Sequence, residues 1–305
     1  MTQVFIDGSA GTTGLRIHDR LKERRDIELV TLEEKYRKDT EARREALNSA
    51  DIVFLCLPDD AAREAVGMIV NPDTAVIDTS TAHRTADGWE YGFPELEGRR
   101  ERIACSKRVA NPGCHASGFI ALVEPLVRAG VIGRDMKLSA FSVTGYSGGG
   151  KKMIAQYESG EDPLLGAPRM YGLSQNHKHL PEMKAVCMLD TAPVFCPVVA
   201  DYYAGMQVTV PLFADDTGAS PDGIRKIYEE YYKQGLVRLT DANEDGFTSA
   251  SIMSGRDGME ISVFGNGERI ILTSRFDNLG KGASGAAVQN MNIMIGADET
   301  EGLVI

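Results

Sequence analysis

The chain has 305 residues, 43% of them hydrophobic and 25% charged, with a formal net charge of -11; such proportions suit a soluble globular protein with room for two cores. An acidic balance excludes a general nucleic-acid or anionic-membrane binder, which needs a positive field, yet still allows an anionic small molecule in a local basic pocket. Five cysteines, odd in number and without a C-x-x-C pair, indicate neither a disulfide framework nor a zinc site.

The first residues carry neither a basic leader nor a long apolar core, and no apolar run reaches spanning length. A cytoplasmic location is expected, with no metal, no membrane and no nucleic acid among the partners. Gln3-Val4-Phe5-Ile6 reads as a buried strand, Gly8-Ser9-Ala10-Gly11-Thr12-Thr13-Gly14 as a tight turn, and residues 15–21 as a helix with apolar positions 15, 17 and 21. Strand, glycine loop and helix in this order form a variant of the dinucleotide fingerprint: the glycines admit a pyrophosphate close to the backbone, and the helix start supplies N–H donors. Gly8, Ser9, Gly11, Thr12, Thr13 and Gly14 are the expected cofactor contacts.

Residues 27–30 form the expected second strand, whose end reads either a ribose hydroxyl or a 2′-phosphate. Glu33 and Glu34 suit the hydroxyl; Lys35, Arg37, Lys38 and Arg16 suit the phosphate; a solvated charged face fits as well. The run Ile52-Val53-Phe54-Leu55-Cys56-Leu57, stopped by Pro58, predicts a strand buried on both faces of a parallel sheet, followed by a helix over 61–70 and a strand over 75–78. Beyond that last strand stand Ser80, His83 and Arg84. Strand ends of this kind line a ligand crevice, which makes Ser80 and Arg84 candidates for an anionic substrate or cofactor and leaves His83 a structural role.

Asn111-Pro112-Gly113-Cys114-His115-Ala116-Ser117-Gly118 opens the apolar run Phe119, Ile120, Leu122, Val123, Leu126, Val127. A helix whose first turn contains or immediately follows Cys114 would favour its thiolate and make it a candidate nucleophile; the competing reading is a small buried hydrophobe. Farther on, Ser147-Gly148-Gly149-Gly150-Lys151-Lys152 follows a strand predicted over 137–143 and combines glycine backbone with lysines, an anion-binding pattern. His177-Lys178-His179-Leu180-Pro181-Glu182 sets two histidines two residues apart, pointing the same way in extended backbone. An imidazole partner for the thiol is the functional reading, two solvent-facing histidines the other.

Strand patterns at 194–210, 237–239, 259–265 and 269–273, interrupted by a helix over 221–232, predict a second α+β domain on a mixed or antiparallel sheet. A last helix follows Asn278-Leu279-Gly280-Lys281-Gly282-Ala283-Ser284-Gly285 and covers 286–295. The fold class is therefore α/β, a Rossmann-like dinucleotide domain of residues 1–113 and 280–305 joined to a catalytic domain of residues 114–279.

In this order, Gly8-x-x-Gly11-x-x-Gly14, Asn111-Pro112-Gly113-Cys114, Ser147-Gly148-Gly149-Gly150, His177-x-His179-x-Pro181-Glu182 and the run 281–290 resemble N-acetyl-gamma-glutamyl-phosphate reductases, of the aspartate-semialdehyde dehydrogenase superfamily. The resemblance spans nearly the whole chain. It implies NADPH-dependent reductive dephosphorylation of an acyl phosphate through a Cys114 thioester, with His177 as acid/base and His179 on the substrate. Arg84, Asn111, Ser117, Ser147, Gly148, Lys151 and Glu182 are the further substrate candidates, and Asn278 and Gly282 are placed beside the nicotinamide. A homo-oligomer, dimer or tetramer, is expected. His115 and Ser117 depart from the longer form of the family, which usually has tyrosine and threonine there. Two rival readings are aspartate-semialdehyde dehydrogenase and a non-catalytic dinucleotide-linked redox sensor.

Overall fold

Alternating β-branched runs and short amphipathic helices over the first hundred residues build a parallel sheet. The computed structural model describes residues 1–305, and the chain divides into two compact units. Residues 1–94, 98–112 and 283–303 make the first; residues 95–97, 113–282 and 304–305 make the second. The first unit begins with β1 (Thr2–Asp7), α1 (Thr12–Leu21), β2 (Ile27–Val30), α2 (Thr40–Ser49), β3 (Ile52–Leu55), α3 (Asp59–Met68), β4 (Ala75–Asp78), β5 (Glu90–Tyr91), α4 (Arg99–Cys105) and β6 (Arg108–Ala110). The second contributes α5 (Cys114–Arg128), β7 (Ser139–Gly145), α6 (Gly150–Ser159), β8 (Arg169–Met170), α7 (Leu180–Val186), β9 (Val194–Ala200) and β10 (Met206–Phe213). It continues through α8 (Ala214–Thr217), α9 (Pro221–Tyr231), β11 (Val237–Leu239), β12 (Met259–Gly265) and β13 (Arg269–Phe276), and α10 (Gly285–Ile295) returns to the first unit.

In the first unit all strand pairs are parallel, in the order β2-β1-β3-β4-β6-β5. The pleat sends alternate residues to opposite faces. Val4, Ile6, Ile52, Phe54 and Ile77 meet Ile17 and Leu21 of α1 and Val288 and Met291 of α10, while Phe5, Val53, Leu55 and Val76 meet Leu47 of α2 and Ala62 and Ala65 of α3. The chain leaves β1 toward β2 on one side and resumes with β3 on the other, so the topological switch point lies at the ends of β1 and β3. Helix α1 starts three residues before the predicted position, and its buried stripe is Gly14, Ile17 and Leu21. Leu15, expected in that stripe, is exposed because it lies about 100° around the helix from Gly14.

The second unit holds a seven-stranded sheet in the order β11-β12-β13-β10-β7-β9-β8. It is mixed: β7 pairs with β9, and β11 with β12, in parallel; the other pairs are antiparallel. Helix α5 is buried almost throughout and lies against β10 and β13, where a Cβ on Gly118 would come within 2.5 Å of Val208. Pro125 inside α5 has no N–H, which deprives the Ala121 carbonyl of its helical partner. One tyrosine hydroxyl repairs this rung, Tyr232 donating to the Ala121 carbonyl at 2.8 Å, and Tyr228 adds a bond to the neighbouring Leu122 carbonyl at 2.5 Å. No helix of the chain is long and apolar enough to cross a membrane.

Candidate active site

Within the first unit the glycine loop follows β1. A Cβ at Gly8 (φ 88°) would stand 2.3 Å from the Cys56 carbonyl oxygen, and one at Gly14 would stand 2.5 Å from the Gly8 carbonyl oxygen. Only glycine lets this loop close against the end of β3. Helix α1 begins without a side-chain cap and without an acidic residue in its first turn, so its N–H groups suit an anion. Beside it opens a cleft of about 590 Å³, lined by Gly8, Ser9, Thr31, Lys35, Arg37 and Lys38 among others. Arg43 of α2 also lines the cleft and pairs with Asp7 at 2.8 Å, a partnership with no signal in the local sequence. These residues fit a dinucleotide with its phosphates toward α1.

The end of β4 is more tightly tied than its sequence suggests. Ser80 donates its hydroxyl to Asp78 at 2.7 Å, and His83 bonds the same carboxylate at 2.6 Å while stacking on Trp89. Arg84 directs Nε to the Asn111 carbonyl at 3.0 Å and one Nη to the Thr79 carbonyl at 3.2 Å. Asn111 is buried, with Nδ2 on the Ala283 carbonyl and Oδ1 accepting from Asn290. Ser80 and Asn111 thus hold protein groups where ligand donors were expected.

In the second unit Cys114 is the first residue of α5, as expected, and is half-buried. None of the five cysteines is in a disulfide. The Gly113 N–H, at the N-cap, donates to Glu182 of α7 at 3.1 Å, so that carboxylate holds the loop before Cys114. Ser117, expected as a phosphate donor, is buried and returns its hydroxyl to the Gly113 carbonyl at 3.1 Å, one helical turn back. Gly282 faces the cysteine, and a Cβ there would fall 2.9 Å from that of Cys114.

Residues 177–179 are not extended. Gln175 adopts a left-handed φ of 56°, and α7 starts at Leu180 with Pro181 in its first turn and His179 at its cap position, so the two rings do not project in parallel. They meet edge to face, 4.8 Å between centroids. The backbone N–H of His179 donates to Nδ1 of His177 at 3.2 Å. With Nδ1 accepting that bond, a neutral His177 ring would carry its hydrogen on Nε2. His179 is buried and His177 half-buried, contrary to a solvent-facing pair.

A third histidine joins them, which sequence reasoning noticed only as a departure from a family pattern. His115 lies 5.6 Å, ring to ring, from both His177 and His179 and 5.3 Å from Phe195. It bonds Ser142 Oγ through Nδ1 and the Tyr171 hydroxyl through Nε2, each at 2.6 Å. Burial, with smaller contributions from the charges of His177 and Lys178, pushes its pKa down to about 3, so it is neutral. No group of three or more histidine, cysteine or acidic side chains has the arrangement of a metal site.

Ser147 and Gly148 lie in a tight helical turn (Tyr146–Gly149) rather than an open loop, and Lys151 is exposed in the first turn of α6. Asn278, expected beside the nicotinamide, is buried with its amide on the Gly205 N–H at 2.9 Å and Ser147 Oγ at 3.0 Å. Lys281 and Glu95 form a fully buried ion pair, both carboxylate oxygens at 2.8 Å from Nζ.

A parallel dinucleotide-type sheet, a cysteine at a helix start and clustered imidazoles define a class. Residues 3–105 match the model of the semialdehyde dehydrogenase NAD-binding domain, and residues 114–278 that of the semialdehyde dehydrogenase dimerisation domain. Solved structures agree on the fold: aspartate semialdehyde dehydrogenase II of Vibrio cholerae, complexed with ASA, has a TM-score of 0.74 at 16% identity, covering 97% of this chain and 98% of its own. The enzyme of Candida albicans with NADP has a TM-score of 0.67 at 13% identity, covering 96% and 98%. Among curated relatives, N-acetyl-gamma-glutamyl-phosphate reductase 2 of Nostoc sp. is 44% identical over 99% of both chains. The reductase of Rhizobium meliloti is 46% identical, covering 97% of this chain and 99% of its own. The chain belongs to the N-acetyl-gamma-glutamyl-phosphate reductase family, an oxidoreductase family within the semialdehyde dehydrogenases.

Proposed function

We propose that the chain reduces N-acetyl-5-glutamyl phosphate to N-acetylglutamate 5-semialdehyde and phosphate, with NADPH, through a thioester on Cys114. The observation that carries this reading is Cys114 at the start of α5, beside the His115, His177 and His179 cluster, in a chain 44 to 46% identical to named reductases. The Cys114 thiolate, favoured by the N–H groups of the first turn, attacks the acyl carbon; a C–S bond forms, and the bond to phosphate breaks. Bound NADPH supplies the hydride that takes the acyl group to the aldehyde level. Collapse of the thiohemiacetal then returns the sulfur as thiolate.

His177 is assigned a donor's role in both steps. Because its Nδ1 accepts from the chain, Nε2–H is what it offers, and a donor serves best on the acyl oxygen as negative charge develops there. This narrows the expected acid/base function to electrostatic stabilisation. The dinucleotide would be held by the Gly8 to Gly14 loop and the start of α1, and Lys35, Arg37 and Lys38 in the cleft favour the 2′-phosphate of NADPH over NADH.

Self-association is assigned to the open face of the second sheet. Phe141, Val194, Phe213 and Ile271 are exposed on β7, β9, β10 and β13, an apolar face of the kind that a second copy of the chain covers.

The test is a panel of acylated and unacylated semialdehydes, with phosphate and with either NADP or NAD, in the wild type and in Cys114→Ala. Turnover confined to the N-acetylated five-carbon semialdehyde with NADP, and lost in Cys114→Ala, is expected. Turnover retained in Cys114→Ala would remove the thioester; preference for aspartate semialdehyde would move the chain to the sister activity.

A further inference from the structure

Toward the start of β9 its outer edge runs out of strand partners. Strand β8 ends at Met170, and the Tyr171 N–H, just beyond it, donates to the Pro197 carbonyl at 3.0 Å. Pro197 has no N–H of its own to offer. The next outward-facing groups along that edge, the N–H and carbonyl of Phe195, are met by a side chain instead: the Gln175 amide accepts from the Phe195 N–H at 2.9 Å and donates to its carbonyl at 2.8 Å. One carboxamide thus carries the ladder a step further than the backbone does.

Gln175 does this from a backbone conformation that few side chains adopt. Its φ of 56° is left-handed, where a Cβ is crowded, and its N–H closes a turn onto the Gly172 carbonyl at 3.0 Å. What the clamp holds lies directly beside the candidate donor. The Phe195 ring is buried and stands 5.1 Å from the His177 ring, edge to face, and 5.3 Å from that of His115. His177 follows Gln175 by two residues, and α7 begins three residues later at Leu180. The histidine therefore rides on a short strap, tied to β9 at one end and to a helix start at the other.

We propose that Gln175 is a positioning residue for His177: by pairing with both backbone groups of Phe195 it ties the strap to β9 and keeps the imidazole seated edge-on against the Phe195 ring. The proposal rests on His177 being the donor to the acyl oxygen. In this role Gln175 acts only through the place of residues 175–179. A slip of that segment carries Nε2 with it, and a hydrogen bond weakens steeply as its distance and angle are lost.

The experiment is a double-mutant cycle on kcat, with the N-acetylated semialdehyde, phosphate and NADP. Gln175→Gly removes the amide and leaves a residue that takes a left-handed φ freely, so the turn itself is not strained. In the wild-type background it is expected to lower kcat by about tenfold, part of the loss that a displacement near 1 Å brings, with KM little moved. In the His177→Ala background the same change is expected to cost nothing further, because the ring it seats is gone. Wild-type kcat in Gln175→Gly overturns the proposal, and so does an equal loss in both backgrounds, the result that general loosening of the site would give. Full kcat in His177→Ala overturns the His177 assignment and the proposal with it. The reductase reading is judged apart from all of these, by turnover in Cys114→Ala.

Discussion

The Cα of Gly282 lies so close to Cys114 that a methyl group on it would stand 2.9 Å from the cysteine Cβ, and 3.1 Å from the carbonyl oxygen of Asp277. Neither obstacle is the end of a flexible side chain. The bare glycine is therefore a condition for where the sulfur sits. Gly282→Ala is expected to lower kcat by about a hundredfold, the scale of a displacement near 1 Å at a reacting atom, with a loss of roughly 1–3 kcal/mol in unfolding free energy from overpacking. Steady-state rates and urea melts check both, and an alanine variant with wild-type kcat would show that the backbone yields without moving the cysteine.

His177 is read as a donor through Nε2. His177→Ala should reduce kcat by about 10²- to 10³-fold, like removal of an oxyanion donor, while His177→Gln, which offers an amide N–H at a similar reach, should recover part of it. If glutamine proves no better than alanine, proton transfer rather than hydrogen-bond donation is the function of this ring.

Lys281 and Glu95 are both fully buried and joined to each other, and Glu95 also accepts from the Leu236 N–H at 2.9 Å. Removing the cation alone leaves a carboxylate stranded. Lys281→Met is expected to cost about 3–5 kcal/mol, and Glu95→Gln added to it to restore much of that, because the amide oxygen still serves Leu236. Chemical melts of the single and double variants read the difference directly.

Acid stability should carry the mark of His115. Its folded pKa, about 3, lies below the 6.5 of an ordinary imidazole. In the window between those values the unfolded chain binds a proton that the folded chain does not, so stability is full above pH 6.5 and falls as pH drops toward 3. The slope from this one group is about 1.4 kcal/mol per pH unit, or roughly 2 kcal/mol lost between pH 6.5 and 5. Replacing it, as in His115→Gln, should flatten the profile by one proton over that range, measured by urea denaturation at several pH values.

For the cofactor, Arg37→Ala with Lys38→Ala should raise KM for NADPH by about tenfold or more, the scale of one lost charged hydrogen bond, with kcat kept and KM for NADH little moved. Equal losses with both cofactors would assign these side chains to the shared pyrophosphate or to the surface.

The parallel sheet was readable because β1, β3 and β4 are unbroken apolar runs and the glycine loop sits between a strand and a helix. The mixed sheet followed from strand-like segments late in the chain, separated by a helix and by turns. What the chain concealed were the partners of its polar groups. Asn111 bonds Ala283, and Asn278 bonds Gly205, at separations of 172 and 73 residues, so no local pattern tells a structural amide from a ligand-binding one. The histidine pair was misread as extended because a left-handed turn at Gln175 and a helix start at Leu180 lie on either side of it. His115 looked like a family variation, and only the fold brings Ser142 and Tyr171 to its two nitrogens.

Tyr232, which answers the broken rung at Pro125, and Tyr228 beside it sit more than a hundred positions along the chain from the helix they serve. An alteration in α9 or at its end, such as Tyr232→Phe, would strand a carbonyl midway along α5, the helix that Cys114 opens. Evolution or engineering thus has a remote dial on the stiffness of that helix, and amide hydrogen exchange along residues 114–128 is where its setting would be read.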